Sequence, residues 1–557
     1  MTSEFVVYHT NTPRGNAQGL GNHIMIFNAS YSWCLDNSLP FAVDINAHPV
    51  FRNMALPKAE APQGKYYTIT HLTDIRPNGL PFQIHSGEGS PDTNGGSILA
   101  YAHNIQRIKD ALNVPDVSVD GCVLHYRLFN QSPQCNVGLP YYMNALKHIE
   151  SSTIYVMYGF DNYDIKAERT KQNIQYLIDR LSKIYPDKQF IDMQTVPEYK
   201  RDNPKDECAL HWYLCVNAPE LITANSTFSF SAAIFRGDKR TIMPKYAICY
   251  QNFNVSDYKK ILKDVRFIPR NVVATAWFDT KSMEPNGRNH RMIYIREFIE
   301  RVNNADIVII TNNPGFFKET YISDLSHVRV ISIPLERLYG YKFYDRWKEQ
   351  SLSDPSNERL SAERLTVWTS KIWCMLIASN VLNQLYDRIA WIDIGVFRIS
   401  EIGRHRLGIF PVLERYMLPR VHMHSFCSVG TFLRDTMYYH TNVGSFILCP
   451  SPEYVSSLFA LTDAILHLPG LNIPHDEELN ALTMDCIGDF FNISLDKGIG
   501  TGKEPGWHHW YFDYSEPTAE FINNIYADIS IRKPKIETSH LKQFITMIND
   551  KTKNNSS

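Results

Sequence analysis

Residue types suited to phosphate binding follow two predicted strands in the first half of the chain. Gly19 and Gly21, with Asn22 beside them, stand at a strand-to-helix turn, where backbone N–H groups can approach an anionic or sugar ligand closely. His125 and Arg127 end a second, apolar strand, and the planar guanidinium of an arginine suits a diphosphate. The alternative for this arginine is a structural ion pair with a carboxylate.

A third predicted strand, residues 221–224, is followed by small polar side chains. They are Asn225, Ser226, Thr227 and Ser229. Donors of this kind ahead of a helix can bind an anion, and the alternative is that they only cap the helix. Because no acidic cluster accompanies the three segments, the sequence predicts a phosphate site in the first half that needs no metal ion.

One acidic strand end marks the second half. Asp393 follows an apolar strand and stands two residues before Gly395, which suits a carboxylate ligand of Mn²⁺ or Mg²⁺ shared with a nucleotide diphosphate. The alternative is an aspartate that caps the next turn. His508 is a further candidate ligand, and packing of the pair His508 and His509 against the neighbouring tryptophans is its alternative.

Two more segments of the second half carry candidate residues. Asn442 and Gly444 lie in a turn that leads into a strand, as in a sugar-donor pocket. Asp476 and Glu477 could bind acceptor hydroxyl groups or act as base or nucleophile. Their alternative is a charged first turn of a helix, where acidic residues are favoured for structural reasons.

The elements that must hold these residues alternate between strand and helix. Each half opens with a β-rich run and continues with apolar strands and amphipathic helices, which predicts parallel sheets with helices on both faces. A chain of 557 residues is too long for one hydrophobic core. We therefore expect an α/β protein with two domains, residues 1–265 and 271–557.

Composition excludes several function classes. The net charge of −2 gives no electrostatic support for binding to nucleic acid. No apolar run is long enough to span a membrane, and the amino terminus lacks the pattern of a signal peptide. The ten cysteines form no Cys-x-x-Cys pair, which favours reduced thiols over a disulfide framework or a zinc site.

The three segments of the first half resemble the motifs of the α1,2-fucosyltransferase family. Those motifs read G-G-L-G-N-Q-M-F-Q-Y-A, H-x-R-R-x-D and N-S-S-F-S-W-W-x-A, and residues 18–29, 125–130 and 225–233 correspond to them. The resemblance covers about residues 5–250. It implies a GT-B-like pair of Rossmann-type lobes and transfer of fucose from GDP-fucose. By resemblance, Arg127 and the loop 225–229 hold the pyrophosphate, while Gly19, Gly21 and Asn22 line the cleft.

This sequence departs from the family pattern at several positions. Leu128 and Asn130 stand where the family has its second arginine and its aspartate, and Phe230 and Ser231 replace two tryptophans. These departures leave the identity of the transferred sugar open. They also support an alternative, in which the first half is a carbohydrate-binding domain without catalytic activity.

The second half resembles the bacterial HtrL/YibB-like family, which is associated with lipopolysaccharide glycan synthesis. The matching pieces are the opening residues 275–279, a helix that carries Lys371, and Trp391-Ile392-Asp393-x-Gly395. The resemblance covers about residues 272–500 and implies a GT-A-like α/β domain that transfers an unidentified sugar from a nucleotide-sugar donor. Residues 475–477 are also similar, by analogy only, to the His-Asp-Glu motif of retaining blood-group glycosyltransferases.

The two resemblances together predict a bifunctional glycosyltransferase that adds two sugars to one growing glycan acceptor. Tandem domains raise the local concentration of the intermediate. Golgi glycosyltransferases usually carry a membrane anchor, so its absence favours a cytoplasmic enzyme, bacterial-like or viral in a host cytosol. The alternative is one active glycosyltransferase domain coupled to an inactive carbohydrate-binding domain.

Overall fold

The chain divides into two compact units, Met1–Arg270 and Asn271–Ser557. A computed structural model describes residues 6–8, 20–38, 41–44, 48–59, 98–127, 136–158, 167–246, 254–280, 287–319, 327–353, 361–394, 421–425, 442–467 and 491–495. Both units consist of sheets with helices between the strands, so the α/β prediction is confirmed.

The described part of the first unit contains nine strands, all of which pair in parallel. They are β1 Val6–Tyr8, β2 Phe41–Asp44, β3 Lys58–Ala59, β4 Cys122–Tyr126, β5 Thr153–Tyr158, β6 Gln189–Asp192, β7 Glu220–Ile222, β8 Arg240–Pro244 and β9 Val265–Ile268. The helices between them are α1 Leu20–Asp36, α2 Pro49–Arg52, α3 Ile105–Leu112, α4 Leu139–Leu146, α5 Ala167–Ile184, α6 Pro204–Asn217 and α7 Thr227–Ala233.

These strands form two sheets, in the orders β1-β2-β3 and β6-β5-β4-β7-β8-β9. Two parallel sheets agree with the expected pair of Rossmann-type lobes, and the six-stranded order is that of the classic dinucleotide-binding fold. One apolar core joins residues of both, including Phe27 of α1, Phe41 of β2 and Trp212 of α6. Strand β9 pairs with β8, so the predicted boundary at residue 265 falls on a strand of the first sheet.

The described residues of the second unit form one mixed sheet of seven strands. They are β10 Asn271–Trp277, β11 Asp306–Thr311, β12 Val328–Ser332, β13 Arg388–Ile392, β14 Val421–Ser425, β15 Asn442–Cys449 and β16 Phe491–Leu495. Their order is β12-β11-β10-β13-β15-β14-β16, and β15 runs antiparallel to both neighbours. Its helices are α8 Gly287–Arg301, α9 Pro314–Glu319, α10 Tyr344–Ser353, α11 Ala362–Thr369, α12 Lys371–Val381 and α13 Pro452–Leu466.

Helices cover both faces of this sheet, as the apolar strands require. Val272 and Ala274 of β10 face a core shared with α11, α12 and α13. Val273, between them, faces a second core with α8, because successive side chains of a strand point to opposite faces. The single sheet between two helical layers agrees with the expected GT-A-like domain.

Within the part of the chain that the structure describes, no helix combines the length and the hydropathy that crossing a bilayer requires. Six cysteines lie in the described part of the chain, and all six are free thiols. They are Cys34, Cys122, Cys208, Cys215, Cys374 and Cys449.

Candidate functional site

The six-stranded sheet of the first unit reverses its strand order between β4 and β7. From β4 the chain adds β5 and β6 on one side, then returns to add β7, β8 and β9 on the other. In open parallel sheets, ligands bind at the carboxyl ends of the two strands that flank such a reversal. Leu124 pairs with Ile222, so Arg127 and the loop 223–229 both follow strands that end at this edge.

Gly21, at the start of α1, lies against the backbone of the loop 223–229. A Cβ atom on Gly21 would lie 2.2 Å from the backbone nitrogen of Phe228 and 2.3 Å from the carbonyl carbon of Thr227. Only a glycine therefore allows the first turn of α1 to lie against the first turn of α7. Gly19 lies outside the described residues, and of Asn22 the structure describes only its place in α1.

The hydroxyl groups of Ser226 and Ser229 form hydrogen bonds with backbone groups. Ser226 is the N-cap of α7, where its side chain accepts a hydrogen bond from the backbone nitrogen of Phe228 at 3.3 Å. The hydroxyl of Ser229 accepts one from the backbone nitrogen of Ala224 at 3.2 Å. Asn225 and Thr227 are buried beside them. The capping alternative therefore describes Ser226, whereas Ser229 lies inside α7 and its hydroxyl bonds the backbone of the preceding loop.

His125 lies buried under this edge as a neutral imidazole. Its side chain is 4% exposed, and its ring centroid is 5.2 Å from that of Phe228. Burial, reinforced by the nearby charges of Arg127 and His211, lowers the pKa of His125 to about 3. Its Nδ1 atom is buried and has no hydrogen-bond partner among the described residues.

Two tyrosines of α4 hold the backbone where β4 and β7 end. The hydroxyl of Tyr141 donates to the carbonyl of Thr223 at 2.6 Å, and that of Tyr142 donates to the carbonyl of His125 at 3.0 Å. Both hydroxyls are buried, and burial raises the pKa of each tyrosine, so both remain protonated donors. The sequence analysis did not identify them as site residues.

Helix α6 also approaches the edge. Burial raises the pKa of Cys208 to about 11, and the nearby positive charge of Arg127 acts in the opposite direction. His211, one turn later, contributes to the low pKa of His125. The three-residue spacing of Cys208 and His211 places both on one helix face, which is the signal in the sequence that could have found them.

The sheet of the second unit has a corresponding reversal between β10 and β13. Asp279 follows β10 and Asp393 follows β13, so both lie at the carboxyl edge of the two flanking strands. Asn312, after β11, exchanges hydrogen bonds of 2.8 and 2.9 Å with the backbone of Asp279. Strand β15 is antiparallel to β13, and therefore begins, with Asn442 and then Gly444, at the same edge.

The carboxylate of Asp393 is held on both oxygens. Lys371, the first residue of α12, places its Nζ 3.1 Å from Oδ1 and 3.3 Å from Oδ2. The Nε1 atom of Trp391 donates to Oδ1 at 2.7 Å. The lysine side chain is 6% exposed, whereas that of Asp393 is 38% exposed. Lys371 also lies 5.7 Å from the centroid of the Trp391 ring.

The described residues at Asp393 do not fit the divalent cation expected from the sequence. Donors occupy both carboxylate oxygens, and a lysine ammonium beside them would repel a dication. No group of three or more His, Cys, Asp or Glu side chains suited to a metal occurs among the described residues. The candidate residues Asp476, Glu477 and His508 lie outside the described ranges.

Comparisons with known proteins found only distant structural likeness. No protein-family model and no curated protein matches the chain. Mouse xyloside xylosyltransferase 1 is 12% identical, with 40% of this chain and 85% of that one aligned at a TM-score of 0.21. A Leptospira borgpetersenii cytidylyltransferase is also 12% identical, and the alignment covers 52% of this chain and 94% of that one at a TM-score of 0.20. The 4-diphosphocytidyl-2C-methyl-D-erythritol synthase of Anaerococcus prevotii is 9% identical, and the alignment covers 47% of this chain and 96% of that one at a TM-score of 0.20.

Proposed function

We propose that the chain is a glycosyltransferase that uses nucleotide-sugar donors. The observation that carries the proposal is the strand reversal of the first unit, which brings Arg127 to the same sheet edge as the loop 223–229. A reversal point of this type, with an arginine at its rim, suits a ligand with a diphosphate. The motif resemblance supports GDP-fucose as that ligand.

The described side chains suggest how the first unit would hold its donor. The guanidinium of Arg127 can make two parallel hydrogen bonds to pyrophosphate oxygens. His125 is neutral at physiological pH, so it would contact a hydroxyl group of the sugar or ribose without adding charge. Tyr141 and Tyr142 donate hydrogen bonds to backbone carbonyls at the ends of β7 and β4. The edge is therefore organised before the donor arrives, which reduces the ordering cost of binding.

For the second unit we propose a second nucleotide-sugar site at the carboxyl edge of β10 and β13. Asp279 and Asp393 lie at this edge, and the strand that carries Asn442 and Gly444 begins there. Asp476 and Glu477 remain the proposed acid–base or acceptor-binding residues. The acceptor is proposed to be a glycan that receives one sugar from each unit.

Replacing Arg127 by alanine tests donor binding by the first unit. A charge-assisted contact to phosphate contributes about 1.5–3 kcal/mol, so the Kd for GDP-fucose should rise about ten- to hundredfold. The measurement is isothermal titration of GDP-fucose into the full chain. Arg201→Ala is the control, because the side chain of Arg201 is exposed and donates hydrogen bonds to the backbone carbonyls of Glu198 and Lys200. Equal affinity of wild type and Arg127→Ala for GDP-fucose would show that Arg127 does not bind the donor.

A further inference from the structure

The lysine beside Asp393 stands in an electrostatically unfavourable place. Lys371 lies at the junction of two helices, two residues after the end of α11 and at the start of α12, so the two helix dipoles offset one another there. Its side chain is almost completely buried, which disfavours the charged form. A charged lysine at this position therefore needs a carboxylate close by.

Asp393 supplies this carboxylate. Its two oxygens lie at 3.1 and 3.3 Å from the lysine nitrogen, and the indole of Trp391 fixes the carboxylate by a third contact. A divalent cation on the same carboxylate would withdraw the compensation from Lys371 and add two positive charges beside it. The lysine and a metal ion are therefore competitors for Asp393.

We propose that Lys371, and not a divalent metal ion, is the counter-ion of Asp393, and that the strand end of the second unit is organised without metal. The role given to Lys371 is that of a positioning residue, because it acts through Asp393. The inference rests on the contacts of three side chains. It holds whether or not the second unit transfers a sugar, so it can fail separately from the proposed function.

Binding of Mn²⁺ to the full chain tests the proposal without any activity measurement. The number of ions bound at millimolar Mn²⁺ is read from the loss of the free-ion signal in electron paramagnetic resonance. We expect wild type and Asp393→Asn to bind the same number. We expect the double variant Lys371→Met/Asp393→Asn to bind that number as well, because no group of three or more acidic, histidine or cysteine side chains suited to a metal surrounds Asp393 among the described residues.

Two results would overturn the proposal. One is a wild-type chain that binds one Mn²⁺ more than Asp393→Asn. The other is a double variant that melts below Asp393→Asn. Asp393→Asn leaves the buried ammonium uncompensated, so we expect a lower Tm for it than for the double variant. A Tm for the double variant below that of Asp393→Asn would show that the pair is not a charge-compensating one.

Discussion

Replacement of Arg236 by methionine is expected to destabilise the first unit by about 3–5 kcal/mol, the largest effect among the substitutions considered for the described residues. Arg236 follows α7, is 2% exposed and donates hydrogen bonds to five oxygen atoms. The acceptors are the hydroxyl of Thr241 and the backbone carbonyls of Cys215, Val216, Pro219 and Arg240.

This arginine joins the end of α6 to the start of β8. Burial lowers its pKa to about 10, so the guanidinium stays charged at neutral pH and its hydrogen bonds remain charge-assisted. Methionine can fill the volume but leaves four carbonyls, two of them buried and two partly buried, without these donors. Lysine keeps a charge but lacks the planar fork, so Arg236→Lys should lose most of the same stability.

Calorimetry of the full chain measures the effect as a loss in Tm on the order of 10 °C for the affected transition. The matched control is Arg201→Met, since Arg201 also donates to backbone carbonyls but lies at the surface. We expect that variant to melt within about 1 °C of wild type. If Arg236→Met and Arg201→Met melt alike, the five contacts do not stabilise the unit.

The second large effect is expected from Gly21→Ala. The added methyl group would lie 2.2 to 2.5 Å from backbone atoms of Thr227 and Phe228, and these atoms belong to the first turn of α7 and cannot rotate away. Helix α1 must then move off the loop. We expect a loss of about 3 kcal/mol and, because the loop is displaced, weaker binding of GDP-fucose.

The control for this substitution is Gly315→Ala in α9. A Cβ atom there meets only the side chain of Asn313, at the ordinary contact distance of 3.6 Å, so stability should change by less than about 1 kcal/mol. Thermal unfolding of both full-length variants gives the comparison. A Gly21→Ala chain as stable as Gly315→Ala would mean that α1 does not lie against α7 as described.

The alternation of strands and helices was sufficient to predict the fold class. Strand β4, which ends in His125 and Arg127, and the strand before the loop 225–229 were identifiable because apolar runs end abruptly in polar residues. That these ends are neighbours follows from the strand order, which depends on pairing between distant segments. The motif resemblance predicted that Gly21 and the loop belong to one site, and the backbone contact gives the physical reason.

Side-chain partnerships across the sequence could not be predicted in this way. Lys371 and Asp393 are 22 residues apart, so nothing in the local sequence indicates their ion pair. From the sequence, a metal ion was the predicted partner of the strand-end aspartate. Arg236 carried no signal at all, because its acceptors are backbone carbonyls, which every residue possesses. The capping role of Ser226 was predicted only as an alternative.

Turnover of GDP-fucose by the full chain tests the central claim most directly. GDP released from GDP-fucose in the absence of acceptor is measured for wild type and for Arg127→Ala. Slow hydrolysis by wild type, reduced about ten- to hundredfold in kcat/KM by the substitution, is the predicted result. No release of GDP by wild type at millimolar GDP-fucose would contradict a fucosyltransferase activity in the first unit and favour a carbohydrate-binding domain without catalytic activity.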